Sequence, residues 1–243
     1  MASAGDSTDA DLIAELFEAA KITASRQEIW PSKVLSRILT LQNISAVLGR
    51  SSDRDLQDPR WARWIFNKHL RIFAILLFLD HPERIRDFVE HGISDDYLPL
   101  PEYLLGRKRP AETVGKEASR FDFLQIKDNN LPLPEHLLGI KRPVETVAEE
   151  ASRFDFLRGW SLLQKRLFDD WQWKFLVPYF LYQGNPNHYS IRDKAILPWI
   201  HVEDSKKGSF GNIQRVTIDP DSYKFALPEV IPEATVGGGV KLS

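Results

Sequence analysis

The residues most suited to chemistry lie in the stretch 206–218, KKGSFGNIQRVTI. Gly208 and Gly211 flank Ser209-Phe210, and apolar residues follow at Ile213, Val216 and Ile218. The pattern predicts a strand, a glycine turn and a second strand. Glycine has no Cβ, so backbone N–H groups in such a turn can approach phosphate oxygens closely. The chemistry implied is a phosphate cradle. Other chemistries find less support. The six histidines (His69, His81, His91, His136, His188, His201) show no metal-ligand spacing and no H-E-x-x-H. His69, in an apolar helical pattern, reads as a core or boundary residue. There is no G-x-S-x-G elbow. The acidic pairs Asp95-Asp96, Glu149-Glu150 and Asp169-Asp170 are adjacent in sequence, and adjacent helical residues do not face each other. They read as solvated faces. No catalytic residue and no metal site is expected.

The surrounding chain must position that loop. Its 243 residues are 43% hydrophobic and 27% charged, an ordinary balance for a globular protein. A net charge of −2 points to neither nucleic acid nor an acidic membrane surface. The absence of cysteine excludes disulfides and thiolate chemistry, and it suits an intracellular, reducing compartment. The longest apolar run, 72–79, has eight residues and is too short to cross a bilayer. No membrane and no nucleic acid partner is expected.

Helical spacing dominates the first 97 residues. A helix is predicted over 9–22, from Leu12, Ile13, Leu16, Phe17 and Ala20. A helical turn follows Pro31, and a helix capped by Thr40 stops at Gly49. Pro59 starts a helix that runs into the apolar segment and breaks at Asp80-His81-Pro82. A short helix follows over 82–90. A winged-helix arrangement is conceivable, but no basic recognition helix supports it.

An internal repeat follows. Residues 98–124 and 131–157 match at 22 of 27 positions, with an offset of 33. Two copies are too few for a solenoid, so a tandem duplication packed more loosely than its flanks is expected. Beyond it, Trp160, Leu163, Leu167, Trp171, Phe175 and Leu176 predict one long amphipathic helix over 155–177, with Asp169-Asp170 on its polar side. Gly184-Asn185-Pro186-Asn187 reads as a turn, and 196–200 as an extended segment leading to the glycine loop.

Three segments carry a family resemblance: WQWKFLVPYF, HYSIRDKAILPWI and KKGSFGNIQRVTIDPDSYKF. They resemble the lead-in and first strands of fungal serine/threonine protein kinase-like proteins. The earlier HGISDDYLPL resembles the helical region that precedes the kinase domain there. The family's glycine loop is G-x-G-x-x-G-x-V. Gly208 takes the second glycine, Phe210 the loop-tip aromatic, Gly211 the third glycine and Ile213 the valine that packs on adenine. Lys206 stands where the first glycine is expected. The resemblance implies ATP as ligand, with Gly208, Ser209, Phe210, Gly211 and Ile213 as nucleotide-binding residues.

The resemblance also marks what is missing. Phe225-Ala226-Leu227 resembles the start of the third strand, yet Pro228 occupies its lysine position. No H-R-D and no D-F-G follows. The expected fold is mainly α with a small antiparallel β portion. It comprises a helical module over 1–97, the repeat over 98–157, the amphipathic helix over 158–182, a partial kinase small lobe over 183–227 and a flexible tail over 228–243. The expected function is that of a truncated, inactive kinase-like protein with a degenerate ATP loop. The alternative is a non-catalytic module that binds a protein partner through its helical regions.

Overall fold

The fold was examined in a computed structural model that describes residues 9–106, 152–182, 191–204, 206–208, 211–225 and 241–242. Among them are seven α-helices: α1 (Asp9–Glu18), α2 (Ser32–Ile38), α3 (Leu41–Gly49), α4 (Pro59–Lys68), α5 (Leu70–Phe78), α6 (Ile85–Glu90) and α7 (Leu162–Phe175). The chain is mainly helical, with small sheets. Two starts follow directly from local chemistry. The Thr40 hydroxyl accepts the Asn43 N–H at 3.2 Å and opens α3. Asp58 accepts the Arg60 N–H at 2.8 Å, and Pro59 stands at the first position of α4, where its missing N–H costs nothing.

Three predicted helices have different limits. The helix predicted over 9–22 ends at Glu18, and Lys21–Ile22 forms β1, antiparallel to β2 (Glu28–Ile29). The Thr23 hydroxyl ties that hairpin by accepting the Gln27 N–H at 3.0 Å. The helix expected to run from Pro59 into the apolar segment breaks at His69, which is buried at a non-helical φ −135°, ψ 23°. The break lets α5, buried from Ile72 to Leu77, turn inward. The helix predicted over 155–177 starts only at Leu162. Ser161 and Gln164 form a capping box there, while Asp155–Gly159 is a 3-10 turn.

One hydrophobic cluster joins all seven helices. Trp30 lies at its centre, fully buried, and donates its indole N–H to the Leu16 carbonyl at 2.7 Å. Phe78 stacks on Trp171 with ring centroids 4.4 Å apart, and Trp30 stacks on Phe175 at 5.1 Å. A second aromatic group joins Phe88, Phe168 and Trp160. The predicted apolar stripe of α7 is therefore displaced. Phe168, Asp169, Gln172 and Phe175 are buried, whereas Leu163 is 66% and Leu167 37% exposed. The described ends of the repeat lie in this core. Leu98, Leu100 and Leu105, and then Phe154 and Leu157, belong to the cluster.

The strands lie in the last third of the described chain. β4 (Trp199–Val202) pairs antiparallel with β7 (Val216–Ile218), and β5 (Lys206–Gly208) with β6 (Gly211–Ile213). The Glu203 N–H donates to the Arg215 carbonyl at 2.9 Å and joins the two pairs into one ribbon. β9 (Lys241–Leu242) pairs with the other edge of β7, so that part of the expected flexible tail is strand. β3 (Phe180–Tyr182) pairs with β8 (Tyr223–Phe225) in parallel, the one exception to the antiparallel expectation among the described strands.

Candidate functional site

The glycine stretch folds as a hairpin. Lys206 pairs with Ile213, Lys207 with Asn212 and Gly208 with Gly211, so a two-residue loop, Ser209-Phe210, joins the strands. The structure thus brings Gly208, Gly211 and Ile213 together on paired strands. Ser209 and Phe210 lie outside the described residues.

The β4–β7 pair carries a register slip: Trp199 opposes Ile218, but His201 opposes Thr217. Such bulges add twist and turn the far end of a ribbon relative to its base. The base is anchored on the β1–β2 hairpin. The Ala24 N–H donates to the Trp199 carbonyl at 2.7 Å, and Lys21 Nζ lies 3.9 Å from both Asp219 and Asp221. Burial raises the Asp219 carboxyl, opposed by Lys21 and by the Ser222 hydroxyl that donates to it. Asp219 also accepts the Asp221 N–H at 3.1 Å and so opens the 3-10 turn Pro220–Ser222 that leads into β8.

β8 ends at Phe225, where the resemblance puts the start of the third strand, and its described partner is β3. Ala226, Leu227 and Pro228 lie outside the described residues. Among the described residues no group of three His, Asp or Glu is placed to hold a metal. No described helix is long and apolar enough to cross a membrane. A shallow depression between Leu12, Asn43, Val47 and Arg50 has a cavity volume of about 10 Å³, room for about one water and not for a small-molecule ligand.

A polar cluster inside the helical core escaped the sequence reading. Gln172, fully buried on α7, accepts the Leu100 N–H through Oε1 at 2.7 Å, and its Nε2 faces the Leu100 carbonyl at 3.4 Å. Nε2 also donates to Asp169 at 2.8 Å. Lys194 bridges Asp169 at 3.7 Å and the Glu102 carboxylate. One side-chain amide thus grips both polar groups of one main-chain residue, as a neighbouring strand would. The Asp169–Gln172 spacing of three residues places both on one helix face, a signal present in the sequence. The partner Leu100 stands 72 residues away, and no periodicity connects the two.

A second missed residue is Asp95, expected on a solvated face. Its carboxylate accepts the Arg71 N–H at 2.9 Å and the Ile72 N–H at 3.0 Å, capping the start of α5 that His69 leaves uncapped. Burial pushes its pKa up to about 6, opposed by the charge of Arg71 and by these two bonds.

Comparison of the chain with protein-family models, curated proteins and solved structures finds no match in any of the three.

Proposed function

We propose that the ribbon 199–218 is a nucleotide-facing hairpin of the protein-kinase small-lobe type, in a chain whose 243 residues carry no phosphotransfer machinery. The observation that supports this reading is the Gly208–Gly211 pair closing a two-residue tip. Backbone N–H groups of Gly208, Ser209, Phe210 and Gly211 contact the ATP phosphates, and Ile213 lies on the adenine side. Phosphoryl transfer also needs a positioning carboxylate, metal ligands and a phosphate-pairing lysine. The sequence has no H-R-D, no D-F-G and a proline at position 228. The function proposed is therefore ATP binding without catalysis.

A thermal-shift titration with Mg·ATP tests the proposal. Ligand that binds only the folded chain raises its Tm, by about 5–10 °C at 100-fold excess over Kd. The rise is expected in the native chain and is expected to vanish in the G208V/G211V chain. No rise in the native chain sinks the proposal. The same titration separates it from the alternative, a non-catalytic helical module that binds a protein partner, since such a module gives no ATP shift in either chain.

A further inference from the structure

The core seats a short peptide that enters it at Leu98 and turns over 102–106, and the chain contains two copies of that peptide. Residues 98–106, LPLPEYLLG, occupy the seat, and residues 131–139, LPLPEHLLG, repeat them at eight of nine positions. We propose that the seat around Gln172 is a binding site for Leu-Pro-Leu-Pro-Glu-x-Leu-Leu-Gly, and that 131–139 is its second, interchangeable occupant.

The contacts of Leu98, Leu100, Glu102, Leu105 and Gly106 fall on residues that both copies share. Gln172 holds the main chain of Leu100, and Leu133 is the counterpart residue. Leu98, Leu100 and Leu105 fill the core, at 5%, 2% and 0% exposure, and the second copy offers Leu131, Leu133 and Leu138. Glu102 pairs with Lys194, and Glu135 is its counterpart. Gly106 has φ +79°, and a Cβ there would meet the Leu162 side chain at 2.9 Å. Only glycine suits that position, and the second copy has Gly139. The single difference, Tyr103 against His136, falls on a half-buried position.

Connectivity explains which copy is seated. The described parts of the repeat are the opening of the first copy, 98–106, and the close of the second, 152–157. The first continues directly from Tyr97, whose hydroxyl accepts from Arg153, and the second runs directly into Trp160 and α7. This pairing leaves one chain segment to close, 107–151. Seating 131–139 instead leaves two, 98–130 and 140–151, and each closure carries an entropic cost that grows only slowly with length. The exchange is therefore opposed by chain entropy and not by lost contacts. It is also within reach. Residue 106 lies against Leu162, ten residues past 152, so the two are at most about 35 Å apart, whereas the 13 residues from 139 to 152 span up to ~43 Å.

Thermal unfolding of full-length variants, followed by circular dichroism, tests the proposal. L133D/L138D is expected to leave Tm unchanged. L100D/L105D is expected to keep a cooperative transition, lowered by no more than about 8 °C, because the second copy takes the seat. The chain with all four substitutions is expected to lose the transition. If L100D/L105D alone unfolds as completely as the fourfold variant, the second copy is no substitute and the proposal fails. It fails equally if the fourfold variant keeps the transition, since the seat then needs no such peptide. Deletion of 98–130, which leaves only the second copy, gives an independent reading. A cooperative transition within about 5 °C of the native chain supports exchange, and its absence overturns it.

Discussion

Asp95 shows how one carboxylate can serve a helix from outside it. It supplies the cap of α5 from 24 residues away, at the cost of burying a charge. Its folded-state pKa of about 6 lies above the ordinary 3.8, with Arg71 and Asp96 as its charged neighbours. The fold therefore favours the protonated form. The stability this group contributes is fully present below about pH 3.8 and is lost as pH rises through about 6. Lowering pH from 7 to 5 is expected to raise Tm in the native chain, and D95N is expected to flatten that rise, as pH-dependent calorimetry would show. Gln172 argues from the opposite direction, as a neutral polar group fully satisfied in the core. Q172L leaves the Leu100 N–H and carbonyl and the Asp169 carboxylate without their amide partner. Stranded buried groups cost about 1–3 kcal/mol each, so a loss near 3 kcal/mol is expected. It should appear as a lower urea midpoint with an unchanged m-value.

Helix limits follow from chain ends as much as from periodicity. The stripe from Trp160 to Leu176 predicts a helix starting at 155. The capping box at Ser161 sets the start at 162 because it satisfies N–H groups that would otherwise have no partner. The consequence reaches the packing. Trp160 becomes extended, at φ −86°, ψ 139°, and lies in the core with the Arg84 guanidinium over its ring. S161A is expected to cost about 1 kcal/mol and to lower Tm by roughly 2–4 °C in a domain of this size. Denaturant and thermal melts of the same variant check both figures. The hairpin at 206–213 was legible because two glycines flank a dipeptide between strand-like residues. The parallel pairing of β3 with β8 was not, because the 40 residues between them carry no mark of which strands will meet.

At the scale of the molecule, burial is concentrated in the helices. The main cluster draws on α1 to α7, whereas the second consists of Ile29, Val177 and Ile196 with Trp173 against them. Of the ribbon, Ile218 is 2% exposed but belongs to neither cluster, and the Lys21–Asp219 contact and the Ala24–Trp199 bond tie the ribbon to the β1–β2 hairpin. Regions with few buried apolar contacts open at lower free energy than the core. Amides of Val216 and Thr217 are therefore expected to exchange hydrogen at least about tenfold faster than those of Phe73 to Leu76. Equal protection would mean that the ribbon and the helices unfold as one unit.

The sequence alone determined the local features: the helices after Thr40 and Asp58-Pro59, the glycine hairpin and the apolar α5. These depend on backbone preferences and contacts within a few residues, which spacing displays directly. Only the tertiary structure decided which face of α7 is buried, why Asp95 caps α5, why Asp169 and Gln172 are inside, and that the opening of the first repeat copy and the close of the second both lie in the core. Each depends on a partner far away in the chain, Asp95 on α5 and Gln172 on Leu100. Such pairings are selected by the packing of the whole chain, and local spacing carries no trace of them.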